Sequence, residues 1–244
     1  MKVVLAFALL VLTAAPSSAL TEKVKVRAQN GDAAAQLELA EAHLTGRGAA
    51  QDPVKAVEWA TRAATQGSLH AQVLLARLYR EGSGVSKDPA ASARWLEAAA
   101  RQGDAESQFE IGTRYLSGIG VKANAETGFA WLEKAAAQGD PMMQAQLGIA
   151  LINGVGGKNR EAEGARWIRR AADQGYVEAL TTLGTVHIQG LLGEPDMVQA
   201  YKWFRLAAHL GEEQAAMITA QLEKDMSPAD LAVARKLVKE WTPK

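Results

Sequence analysis

Five tryptophans, Trp59, Trp95, Trp131, Trp167 and Trp203, stand 36 residues apart at every step. Each opens a similar stretch that closes on a glycine, as in W-L-E-K-A-A-A-Q-G from Trp131 to Gly139. The closing glycines Gly67, Gly103, Gly139, Gly175 and Gly211 keep the same step, and Gly31 extends it one unit backwards. No insertion breaks the series between residues 31 and 211. A fixed period of this length predicts a repeat architecture, in which each unit buries its apolar face against its neighbours in sequence.

Each unit reads as two helical halves. In the first, exemplified by residues 104–116, Ser107, Ile111, Gly112 and Tyr115 share one helix face. One register holds Leu39, Leu75, Ile111, Leu147 and Leu183, and the next holds only Ala40, Ala76, Gly112, Gly148 and Gly184. Glycine inside a helix costs about 1 kcal/mol against alanine. Three in one register therefore predict the close approach of another helix. A Gly-x-Gly turn follows at Gly46 and Gly48, Gly82 and Gly84, Gly118 and Gly120, and Gly154 and Gly156. The second half carries the Trp and, four residues on, an Ala pair such as Ala135-Ala136, so ring and small residue share a face. The tryptophans are expected to be structural. Asp52-Pro53 and Asp88-Pro89 start this helix as N-cap and first-turn proline. Asn124-Ala125 and Arg160-Glu161 lack that signal, which predicts softer starts.

The ends depart from the period. Residues 1–19 pair one lysine with an apolar run and a small-x-small ending, which predicts a signal peptide cleaved after Ala19. Residues 20–30 read as a polar half-repeat cap, with Lys23 in the Trp register. Five repeats cover 31–211, and 212–244 read as capping helices, with Ser227-Pro228-Ala229-Asp230 starting the last. The chain has no cysteine, which removes disulfides, thiol chemistry and cysteine-bound metals. Lys plus Arg and Asp plus Glu are equal at 27 each, which argues against a broad basic surface for nucleic acid. No later stretch suits stable membrane insertion after signal cleavage.

Catalytic chemistry finds little footing. The Gly-x-Gly turns recur after helices and lack the Lys-Ser or Lys-Thr of a phosphate loop, even at Gly156-Gly157-Lys158-Asn159. His43 and His187 occupy the register of Tyr79 and Tyr115, and His70 and His209 stand alone, so no metal or nucleophile–base pattern forms. No cofactor, metal or catalytic residue is expected.

The string carried by Ile111-Gly112, Tyr115, Gly118, Gly120-Val121, Trp131, Ala135-Ala136 and Gln138-Gly139 resembles the Sel-one-like repeat (SLR) family, relatives of the tetratricopeptide repeat. The resemblance covers about residues 31–211. It implies an all-α fold, a right-handed α-solenoid of antiparallel helix pairs with a concave groove. It also implies an exported adaptor that binds a protein or peptide partner, in the periplasm or secreted. The cysteine-rich members, some of which bind β-lactams, are a poor guide, because this chain has neither cysteine nor S-x-x-K. If the first helices line the groove, the partner-facing positions by register are Glu38, Glu41, His70, Leu74, Arg77, Glu106, Glu110, Thr113, Met142, Gln146, Ile149, Glu178, Thr182 and Thr185. Met142 and Ile149 would seat an apolar anchor. The alternative of another class is a protein that binds or hydrolyses cell-wall fragments, which rests only on compartment and scattered carboxylates.

Overall fold

A computed structural model describes residues 18–157 and 160–243, which fall into two compact units, 1–88 and 89–244. Residues 1–17 of the expected signal peptide, and Lys158 and Asn159 of the glycine-rich turn, lie outside the described residues. Among the described residues there are thirteen α-helices and no strand. The first unit holds α1 (Ser18–Gln29), α2 (Ala33–Thr45), α3 (Pro53–Thr65) and α4 (Leu69–Glu81). The second holds α5 (Pro89–Arg101), α6 (Ala105–Ser117), α7 (Ala125–Ala136), α8 (Pro141–Ile152), α9 (Glu161–Asp173), α10 (Val177–Ile188), α11 (Met197–His209), α12 (Glu213–Asp225) and α13 (Pro228–Glu240). Antiparallel helix pairs recur with the predicted period, which is the α-solenoid fold class. α1 covers α2 with Val24 and Ala28, both buried with Ala35 and Leu39.

The small-residue register does what its glycines imply. A Cβ on Gly112 would stand 2.9 Å from the Gly128 carbonyl oxygen, and one on Gly148 would stand 2.6 Å from that of Gly164. Gly128 and Gly164 face back in the same way, so α6 meets α7, and α8 meets α9, backbone to backbone. In the turn, Gly118 ends α6 with positive φ and donates to the Arg114 carbonyl. Gly120 also has positive φ, and a Cβ there would overlap the Pro89 carbonyl oxygen at the start of α5. The first glycine thus stops a helix, and the second lets the turn lie against the preceding repeat.

Two expectations change. Asn124 caps α7 by accepting from the Thr127 N–H at 3.0 Å, so that start is not soft. Arg160 offers no side-chain cap to α9, as expected, and instead pairs with Glu163 at 2.6 Å and Glu133 at 3.1 Å. The tryptophans are also less buried than a core role implies. Trp59, Trp95, Trp131 and Trp167 are half-buried, and only Trp203 is fully enclosed. A cation one turn on covers three of the open rings: Arg62 on Trp59, Lys134 on Trp131 and Arg170 on Trp167, each 4.3–4.4 Å from the ring centroid. Trp203 lies in the core built by α9 to α13, together with the partly buried Trp241.

A polar ladder runs through the turns. Gln36, Gln72, Gln108 and Gln144 are buried, and each donates to the carbonyl eight residues back: Ala28, Ala64, Ala100 and Ala136, at 3.0–3.2 Å. The glutamine of the A-x-Q-G turn then donates to the buried one 30 residues earlier, as Gln66 to Gln36 at 2.7 Å and Gln174 to Gln144 at 3.0 Å. In the fifth repeat both positions are leucine, Leu180 and Leu210, so the two sites change together.

Candidate partner-binding cleft

The predicted partner-facing residues do not form one surface of uniform character. In the first unit Glu38 and Glu41 on α2, and His70 and Arg77 on α4, are exposed. Leu74 is not: at 7% exposure it belongs to the core with Leu75 and Leu78. Its register lies at the boundary between core and solvent, where an apolar side chain folds inward and a polar one turns out.

In the second unit Glu106 and Thr113 on α6 are exposed. Glu110 is half-buried and holds the buried Arg114 guanidinium at 2.7 Å. Met142 and Gln146 on α8 are exposed, but Ile149 is half-buried against the α9–α13 core and does not serve as an open anchor. On α10, Glu178 and Thr185 are exposed and Thr182 is half-buried. Both threonine hydroxyls donate to carbonyls one turn back, Thr182 to Glu178 at 2.7 Å and Thr185 to Thr181 at 3.1 Å.

Thr113 and Gln146 are brought together. They line a cleft of about 310 Å³ between α6 and α8, together with Phe109, Leu116 and Ser117 of α6, Leu132 of α7, Ala150 of α8 and Val155 of the turn after it. The helix-pair geometry produces it. Gly112 and Gly128 draw α6 down onto α7, leaving Leu132 between the two first helices. The lining is apolar with three neutral polar groups, which suits an inserted hydrophobic side chain and offers no acid, base or nucleophile for a reaction. Phe109, Leu116 and Ala150 were missed by register reasoning because each reads as core. Their signal in α6 is that Phe109 and Leu116 are apolar beyond the face formed by Ser107, Ile111, Gly112 and Tyr115. Among the described residues no three His, Asp or Glu side chains gather as a metal site, and no helix is long and apolar enough to cross a membrane.

Repeated helix pairs with an apolar cleft between successive first helices define a helical-repeat scaffold. The Sel1 repeat model matches residues 33–68, 69–104, 105–140, 141–176 and 177–212, and the chain belongs to that family. Sel1 repeat proteins generally mediate protein–protein interaction, and the scaffold is generally non-catalytic. The chain is similar to c5321, a protective antigen of uropathogenic Escherichia coli strains with an SLR fold (26% identity, TM-score 0.72, covering 90% of this chain and 48% of that one). It is also similar to a Sel1 repeat protein from Oxalobacter formigenes (31% identity, TM-score 0.60, covering 83% of this chain and 58% of that one). The chain thus spans about half the length of these relatives. No curated protein sequence matches it.

Proposed function

We propose that this protein is a non-catalytic, exported scaffold that binds a protein partner through the α6–α8 cleft, with a regulatory or assembly role in the cell envelope. The observation that carries the reading is the cleft itself, where the partly exposed Phe109, Leu116, Ala150 and Val155 and the buried Leu132 line an apolar recess between two first helices. An apolar side chain of the partner would fill the cleft, and Met142 would extend the apolar contact along α8. Thr113, Ser117 and Gln146 supply hydrogen bonds to the partner's backbone. The periplasmic address rests on the leader pattern of residues 1–19. Cross-linking in the native host, followed by mass spectrometry, should give a dominant protein partner with the native chain and lose it with Ala150→Asp. An unchanged set of cross-links would remove the cleft from the reading. Sequencing the N-terminus of the mature protein tests the address: a chain beginning at Leu20 in the periplasmic fraction supports it, and an uncut chain in the cytoplasm contradicts it.

A further inference from the structure

The last second helix carries a stripe unlike its counterparts. Tyr201, Arg205 and His209 recur every four residues on α11 and so share one face. Opposite them α13 presents Arg235, Val238 and Lys239, and the two stripes enclose a pocket of about 330 Å³ with Glu223 of α12 at its side. The pocket has a reason to exist. α13 begins 31 residues after the start of α11 (Pro228 against Met197), where the second helices otherwise begin 36 apart. The helix that closes the array is therefore out of the register that packs second helices together, and the α11 stripe is left partly uncovered.

The charges in this pocket do not balance. Three permanent cations, Arg205, Arg235 and Lys239, face one carboxylate. That carboxylate is already engaged: Glu223 Oε1 accepts from the Tyr201 hydroxyl at 2.6 Å and from Arg235 Nη2 at 3.3 Å. The register of Arg205 shows the difference. Its charged counterparts are Glu97, paired with Arg101 at 2.8 Å, Glu133, paired with Arg160 at 3.1 Å, and Arg169, paired with Asp173 at 3.1 Å. Arg205 and Lys239 make no hydrogen bond or ion pair among the described residues. A guanidinium is built to take two oxygens of one anion.

We propose that the pocket between α11 and α13 binds an oxyanion, held between Arg205 and Lys239 with Arg235 beside it. Glu223 lines the same pocket, holds Arg235 at 3.3 Å and offsets one of the three permanent positive charges. Carboxylate and phosphate groups share this chemistry. The site is separate from the α6–α8 cleft and stands or falls independently of it.

The test is a titration of the full chain with inorganic phosphate and, separately, with succinate at constant ionic strength, followed through the arginine Nε–H signals in NMR. Saturable shifts of Arg205 and Arg235 are expected with one or both probes. Saturation by phosphate alone identifies a phosphoryl ligand, and saturation by succinate a carboxylate one. Arg205→Gln/Lys239→Gln should weaken binding about ten-fold or more, one charge-assisted contact corresponding to roughly that factor. Lys239→Gln alone, at an exposed position, should weaken it less while leaving the melting temperature unchanged. No saturation with either probe, or equal affinity in the double variant, would overturn the proposal.

Discussion

The side-chain amide of Gln138 donates to Gln108 Oε1 across 2.9 Å and to the Gly103 carbonyl across 2.7 Å, tying the turn after α7 to the beginning of α6 in the same repeat and to the glycine that closes the preceding one. Gln108 in turn satisfies the Ala100 carbonyl. The ladder therefore adds a side-chain donor to carbonyls that also accept a turn N–H, as Ala100 does from Gly103 at 3.0 Å. Gln108→Ala should destabilise the chain by about 1 kcal/mol, since it removes two hydrogen bonds while the Ala100 carbonyl keeps the Gly103 N–H and the Gln138 amide keeps the Gly103 carbonyl. Gln108→Leu combined with Gln138→Leu should cost less than the sum of the two changes, because Leu180 and Leu210 occupy these positions together in the fifth repeat. Urea unfolding of the two singles and the double checks both statements. Additive losses would mean that the two side chains do not act as a pair.

Gly148→Ala runs against helix propensity. Alanine would gain about 1 kcal/mol in an open helix. Here its methyl would stand 2.6 Å from the Gly164 carbonyl oxygen and 2.7 Å from Ile168, so α8 and α9 must separate. Overpacking of this kind costs about 1–3 kcal/mol, and the net change should be destabilising. A variant with a raised melting temperature would show that the helices can part freely.

Trp203 and Trp131 occupy one register but should differ in weight. Trp203→Ala empties a fully enclosed site that Lys202 and Arg169 flank at 4.0 and 4.6 Å from the ring centroid, and should cost about 3–5 kcal/mol. Trp131→Ala removes a half-buried ring under Lys134 and should cost about 2 kcal/mol or less. Denaturant midpoints of the two variants measure the difference, and equal losses would mean that the half-exposed ring carries as much packing as the enclosed one.

The period made the helix pairs, the turns and the close approach at Gly112, Gly148 and Gly184 legible without coordinates, because each is a backbone requirement repeated with one residue type. Other features were hidden for physical reasons. The glutamine ladder joins residues 30 apart, whereas the eye follows the 36-residue step, and Gln138 reads as part of a turn until its partner is known. Trp131 sits in the pattern expected of a core residue, yet Lys134 covers it where protein does not. Leu74 and Ile149 show the limit of register at a helix boundary: the apolar side chains there turn to the core. The cleft depends on the distance between α6 and α8, which no local pattern encodes.

His187 should make stability depend on pH. Burial holds its imidazole below the ordinary value of 6.5, with Asp196 opposing the shift and Arg169 and Lys202 adding to it. In the window just below 6.5 the unfolded chain takes up a proton at this residue and the folded chain does not. The contribution is therefore present above 6.5 and is lost as the pH falls toward the depressed folded value. His187→Tyr, which installs the residue of the Tyr79 and Tyr115 register, should lose less stability over the same pH interval. Urea midpoints on either side of the window compare the two chains, and parallel losses would show that other groups set the slope.

The partner-binding reading is tested most directly by placing a photo-cross-linking amino acid at Gln146, on the wall of the cleft, and at Arg166, exposed on the second helix α9. In cells, the Gln146 probe should give one discrete cross-linked protein that disappears when Ala150→Asp is added, while the Arg166 probe gives none. The same products from both positions, or a Gln146 product that survives Ala150→Asp, would contradict binding at the cleft.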